Sequence, residues 1–248
     1  MATPTDVIPP APSGGAPLPP MTFTAPEGFF ALPLAGTPEE RAALADTFVR
    51  ELYSRGDESI WTPAAPYYAA IAEYMAEQGL AYSAMGLFST DEGGVAQCAF
   101  TVAAVETDQT DPDVAAQGIL SALGQDALND ARWMDLPCGP AVSCVTLREF
   151  KLGPEVSATG EEANLPTGQI QVHVPFPNGP YTAVFTLFTA SVDYWGEFCD
   201  MVVAILRTVS FTGSGEAAGE GAGEAAGEGV PDEAGSVERG REQEHGRA

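Results

Sequence analysis

A chain of 248 residues, 45% of them hydrophobic, is long enough to bury a sizeable core. Its 35 acidic side chains stand against 10 basic ones for a formal net charge of -25, which argues against nucleic acid and anionic membranes as partners, because both are bound through cations. Its longest apolar run, Met201 to Leu206, is far short of the roughly 20 residues that cross a bilayer.

Residues 1–20 are rich in Pro, Gly and Ala, carry no apolar period and are expected to be a disordered leader. They have no basic segment ahead of an apolar one, so no signal peptide is expected and the protein reads as cytoplasmic. A single domain over 21–213 follows. Phe29 to Leu34 reads as a strand ending at Pro33. Thr37-Pro38-Glu39-Glu40 is a capping box opening a helix with the stripe Leu44, Phe48 and Leu52, and Gly56 is expected to close it in the left-handed region. A second helix is expected to begin at Thr62-Pro63 or Pro66, with Tyr67, Ile71, Tyr74 and Met75 inward and Gly79 at its end.

Leu80–Thr90 and Val95–Val105 form a hairpin around Asp91-Glu92-Gly93-Gly94, with Ala96, Cys98, Phe100, Val102 and Ala104 sharing a face. Asp111-Pro112 caps a short helix to Leu123, and 132–137 and 141–151 make another hairpin around Gly139-Pro140. After an acidic loop over 152–166, strict alternation from Gln169 to Phe176 puts Ile170, Val172, Val174 and Phe176 on one face. The Asn178-Gly179 turn then sets Phe176 opposite Tyr181, Val174 opposite Ala183, Val172 opposite Phe185 and Ile170 opposite Leu187. From Asp193 to Arg207, Trp195, Phe198, Cys199, Val202, Ile205 and Leu206 recur at helical spacing, and a short strand ends at Phe211. With hairpins outnumbering crossovers, the fold class is α+β, a mainly antiparallel sheet flanked by helices. Residues 214–248, with the repeat Gly-Glu-Ala-Ala-Gly-Glu-Gly, are expected to be a disordered acidic tail, since interspersed glycines and like charges both oppose a helix.

Candidate chemistry is sparse. Gly221-Ala222-Gly223 lacks the preceding strand a dinucleotide site needs, and G-x-S-x-G, H-E-x-x-H, S-x-x-K and phosphate-loop patterns are absent from the sequence. No cofactor and no metal are expected: Cys138 and Cys144 are not at metal-ligand spacing, and the two histidines are His173 in a strand and His245 in the tail. Reduced thiols are expected, with a Cys138–Cys144 disulfide across the hairpin loop as the alternative. The acidic pairs Glu161-Glu162, Asp126 with Asp130, and Asp111 with Asp113 suit capping and solubility. His173, Val184 and Phe188 share the face of the closing hairpin turned away from the core. Either the first two helices cover that face through Leu44, Phe48 and Leu52, or it stays open as a partner-binding surface anchored by Phe188.

The element order, and the run Tyr181 to Ser191 into Glu197 to Phe211 with its closing Thr-Val-Ser-Phe, resembles the uncharacterised actinobacterial PsbP-like and LpqN-like family. The resemblance implies a non-catalytic sheet with helices on both faces that binds other proteins, and no functional residue is carried over. The expected function is thus a non-catalytic, soluble protein-binding module, an acidic adaptor or chaperone-like factor with a protein partner, a basic one where the acidity is functional. The alternatives are an immunity-type inhibitor of a basic toxin and, third, a small-ligand carrier or enzyme.

Overall fold

In the closing hairpin, the strands Ala163–Pro175 and Tyr181–Thr189 are joined through Asn178-Gly179, where Gly179 takes φ of 99°, a value open to glycine but strained for other residues. The register is the expected one, Val174 opposite Ala183, Val172 opposite Phe185 and Ile170 opposite Leu187, and the Phe176 amide donates to the Tyr181 carbonyl at 2.8 Å. The computed structural model describes residues 5–7, 20–34, 36–157 and 159–211. In chain order these hold β1 (Thr5–Val7), β2 (Met21–Phe23), β3 (Phe29–Ala31), α1 (Pro38–Leu52), α2 (Glu58–Glu77), β4 (Leu80–Ser89), β5 (Val95–Glu106) and α3 (Pro112–Leu123). There follow β6 (Asp130–Leu136), β7 (Gly139–Leu152), β8 (Ala163–Pro175), β9 (Tyr181–Thr189), α4 (Trp195–Leu206) and β10 (Ser210–Phe211). The 214–248 tail and most of the 1–20 leader lie outside the described residues. Within the leader, Thr5–Val7 pairs antiparallel with β2.

Seven strands form one antiparallel sheet in the order β3-β4-β5-β9-β8-β7-β6, so the class is α+β as expected. Its first face carries the main core. The helix α4 lays Phe198, Val202, Ile205 and Leu206 onto Ala96, Cys98, Phe100, Val102, Ile170, Val172, Val174, Phe185 and Leu187. Beside α4 lies a small sheet that the sequence pattern did not reveal, in which β10 and β1 flank β2. Its buried Phe23 meets Tyr82, Phe100 and Phe185 edge-on at centroid distances of 5.1, 6.0 and 5.8 Å. Four residues between Pro20 and Ala25-Pro26 are too few to show a period, which is why the sequence gives no sign of β2.

On the second face the helices sit at the two ends. Phe48 and Val49 of α1 and Tyr68 of α2 pack with Leu32, and Phe30 and Met85 of β3 and β4 join them. At the far end, α3 contacts β6, β7 and β8. Asn129, just beyond α3, ties its last turn to the sheet by donating to the Leu123 carbonyl and accepting from Thr146.

Several local expectations need correction. The inward side of α1 is Arg41, Ala45, Phe48 and Val49, and Leu44 is 49% exposed. The helix is turned towards α2 because the largely buried Arg41 guanidinium meets Glu73 of α2 at 2.8 Å. Gly56 does not take a positive φ; the residue that caps α1 is Tyr53, whose carbonyl accepts from Gly56 and from the Trp61 indole. α2 begins at Glu58, before both prolines, because the Asp57 carboxylate accepts from the Ser59 amide and Trp61 anchors the first turn beneath Arg50. The fully buried residues of α2 are Tyr68 and Ala72; of the expected stripe, Ile71 and Met75 pack half-buried against the same cluster, while Tyr67 and Tyr74 are 65% and 62% exposed. Tyr68 is drawn in by Phe48, 4.9 Å between centroids, and by a 2.9 Å hydrogen bond between its hydroxyl and that of Tyr53. The β6–β7 turn is Pro137-Cys138, since Leu136 pairs with Gly139. Only the two ends of the expected 152–166 loop are strand, with Phe150 opposite Leu165 and Leu152 opposite Ala163.

Candidate functional site

Because the helices occupy only the ends of the second face, the middle strands β5, β9 and β8 supply a partly open strip. Period two and the register set its rows: Ala99, Phe188 and Gln169; Thr101, Thr186 and Gln171; Ala103, Val184 and His173. The three residues singled out from the sequence are therefore on one face, with His173 and Val184 directly paired and Phe188 two rows away. Phe188 is 38% exposed, and Val184 and His173 are partly exposed. The expected cover by Leu44, Phe48 and Leu52 is not what forms. Phe48 and Leu52 belong to the cluster over β3 and β4, and Leu44 faces outward.

His173 stands between Val142 of β7 and Val184 of β9, with its Nε2 buried and without a hydrogen-bond partner among the described residues. Burial holds its pKa below the ordinary histidine value, because the charged imidazolium loses more hydration than the neutral ring. The unfolded chain therefore binds the proton more readily than the folded one. The stability that His173 contributes is present above about pH 6.5 and is lost as pH falls from there through the lowered folded value. Melting temperatures between pH 7.5 and 5 should fall more steeply for the wild type than for His173→Gln; parallel curves would show an imidazole hydrated in the native state.

Two of the three acidic pairs supply structural contacts. The Asp111 carboxylate caps α3 by accepting from the Asp113 and Val114 amides, Asp126 accepts from the Leu128 amide, and Asp130 pairs with Arg132 at 2.8 Å. Among the described residues no cluster of three or more His, Cys, Asp and Glu side chains is arranged to hold a metal ion. All four cysteines are free thiols: Cys138 lies in the β6–β7 turn, and Cys144 pairs with Ala131 along the strand. Burial pushes the Cys98 thiol up to about 12 and raises the other three as well, so thiolate chemistry is disfavoured at each.

A neighbouring feature escaped sequence reading. Beyond the row of Phe188, Thr146, Arg148 and Phe150 follow one another along the second face of β7, and with Thr167, Gln169 and Phe188 they line a hollow of about 230 Å³. A second hollow of about 230 Å³ flanks Phe188 on its other side, between Met85, Gln97, Ala99 and Thr189. The alternation Thr146-x-Arg148-x-Phe150 was the available signal. No protein-family model matches the chain, and no match is found among curated proteins or solved structures.

Proposed function

We propose that the chain is a non-catalytic protein-binding module whose docking surface is the partly open middle of the second sheet face, with Phe188 as its anchor and His173 and Val184 beside it. One observation carries the reading: a phenylalanine in the centre of a seven-stranded sheet, flanked by two hollows, is 38% exposed although helices lie at both ends of the same face. An aromatic ring surrounded by small and hydrogen-bonding side chains, here Ala99, Thr101, Thr186, Gln169 and Gln171, has the composition of an interface centre with a polar rim. The net charge of -25 favours a basic partner and a fast, salt-sensitive encounter. The PsbP-like order of elements belongs to the same proposal and agrees with it. No helix among the described residues is long and apolar enough to cross a membrane.

The test is capture from a host lysate with the wild type and Phe188→Asp as parallel baits, at low and high salt. A species retained by the wild type at low salt, released as ionic strength rises and missed by Phe188→Asp is the expected result. The variant should melt close to the wild type, because the ring it replaces is already partly in water. Equal capture by both baits, or none by either, overturns the proposal.

A further inference from the structure

The hollow between Phe150 and Phe188 is built with a charge that the packing of the sheet does not require. Arg41, Arg50 and Arg132 are each engaged by a carboxylate. Arg148 is exposed and makes no ion pair among the described residues, and no acidic residue lines the hollow it borders. Arg55 and Arg207 likewise make no ion pair among the described residues, so what sets Arg148 apart is its place at the rim of a hollow with no acidic lining.

The hydrogen-bonding groups around it divide cleanly. The buried floor is Thr146 and Thr167, and both hydroxyl protons are already given, to the Asn129 side-chain oxygen at 3.4 Å and to the Arg148 carbonyl at 3.3 Å. The donors left to a ligand are the Arg148 guanidinium and the Gln169 amide. Phe150, 49% exposed, and Phe188, 38% exposed, supply apolar walls. At about 230 Å³ the hollow is smaller than the roughly 300–1,000 Å³ of drug-sized sites, and suits a single ring with a short side arm. One guanidinium fits one carboxylate through paired N–H donors, whereas a dianion such as a phosphate would meet the field of a polyanionic chain with a single cation to offset it.

We infer that this hollow is a binding site for a small aromatic carboxylate, its carboxylate held by Arg148 and Gln169 and its ring placed between Phe150 and Phe188. The same chemistry is offered by a free aromatic acid and by a peptide that ends in a phenylalanine carboxylate. The site shares Phe188 with the docking surface but rests on Arg148 and Phe150, so the two readings stand or fall separately.

Calorimetric titration of the full chain separates these sources and tests the site. The probes are 3-phenylpropionate, N-acetyl-Gly-Gly-Phe, and the amide of each. Saturable binding of at least one acid is expected, weakened about tenfold or more in its amide and in Arg148→Gln, and weakened in Phe150→Ala. Both substituted residues are exposed, and unchanged melting temperatures confirm that the variants are folded. Binding of both acids assigns the site to free acids and chain ends alike, binding of 3-phenylpropionate alone to free acids, and binding of the peptide acid alone to a carboxyl terminus. No saturable binding of either acid, equal binding of acids and amides, or full retention in Arg148→Gln overturns the inference. Because Arg148→Gln leaves Phe188 in place, it should capture the macromolecular partner as the wild type does.

Discussion

Replacing Phe198 with alanine should lower the unfolding free energy by about 3 to 5 kcal/mol, the range for emptying a phenylalanine site in a packed core. The residue is 1% exposed, and its ring lies 6.1 Å from that of Phe88, edge-on, where α4 meets the first face of the sheet. Two effects add: the ring's transfer free energy is forfeited, and α4 cannot settle into the void without drawing Val202, Ile205 and Leu206 off the strands. Urea unfolding should show the loss as a lower midpoint with an unchanged slope. The exposed neighbour Glu197 provides the control, and Glu197→Ala should stay within about 0.5 kcal/mol of the wild type. A near-neutral Phe198→Ala would show that the helix does not seat this ring in the core.

A single methyl group at Gly86 should cost about 1 to 3 kcal/mol by overpacking. Gly86 pairs with Cys98 across β4 and β5, and a Cβ there would lie 2.5 Å from the Cys98 Sγ and 2.8 Å from Cε2 of Phe88. Neither neighbour moves freely. Cys98 is buried and Phe88 is wedged between Phe29 and Phe198, at centroid distances of 5.4 and 6.1 Å. The cycle of Gly86→Ala, Cys98→Ala and the double variant isolates the clash. Removing the sulfur should relieve part of the cost, so the double variant should be more stable than the sum of the singles predicts. Strict additivity would place the strain elsewhere.

The parts of this fold that could be read from the chain are those where one local rule and the tertiary structure agree. The closing hairpin is one, since Asn178-Gly179 and the alternation about it admit a single register and put Ile170, Val172 and Val174 in the core. α3 is another, with Asp111 as cap and Gly124 at its end. Helix rotation was less legible. For α1 and α2 the apolar residues nearly encircle the helix, and the choice between Leu44 and Val49, or between Tyr67 and Tyr68, is settled by the partner surface and by the Arg41–Glu73 pair, neither of which leaves a period in the sequence. The face shared by His173, Val184 and Phe188 followed from register alone. That it stays partly open depends on helices docking at β3–β4 and β6–β8, a long-range outcome beyond the reach of residue spacing. The Arg148 hollow was hidden for a related reason: Phe150 and Gln169 are brought together by a β7–β8 arm whose outer half reads as a polar loop.

The position of β9 in the sheet has a consequence for the order in which the chain is made. β5 leaves the ribosome early with a complete partner on one side, β4, but its other edge waits for residues such as Phe185 and Leu187, which come after α3 and three further strands. Until they arrive, the nascent chain holds an unpaired edge beside the exposed ring of Phe100. The first core face stays open longer still, because α4 and the Phe211 that meets Phe176 at 4.7 Å are delivered last. Closure by distant segments makes for slow folding and prolonged exposure to aggregation. A chain that ends before Phe211 should therefore emerge as a substrate for chaperones and proteases rather than as a smaller version of the same fold.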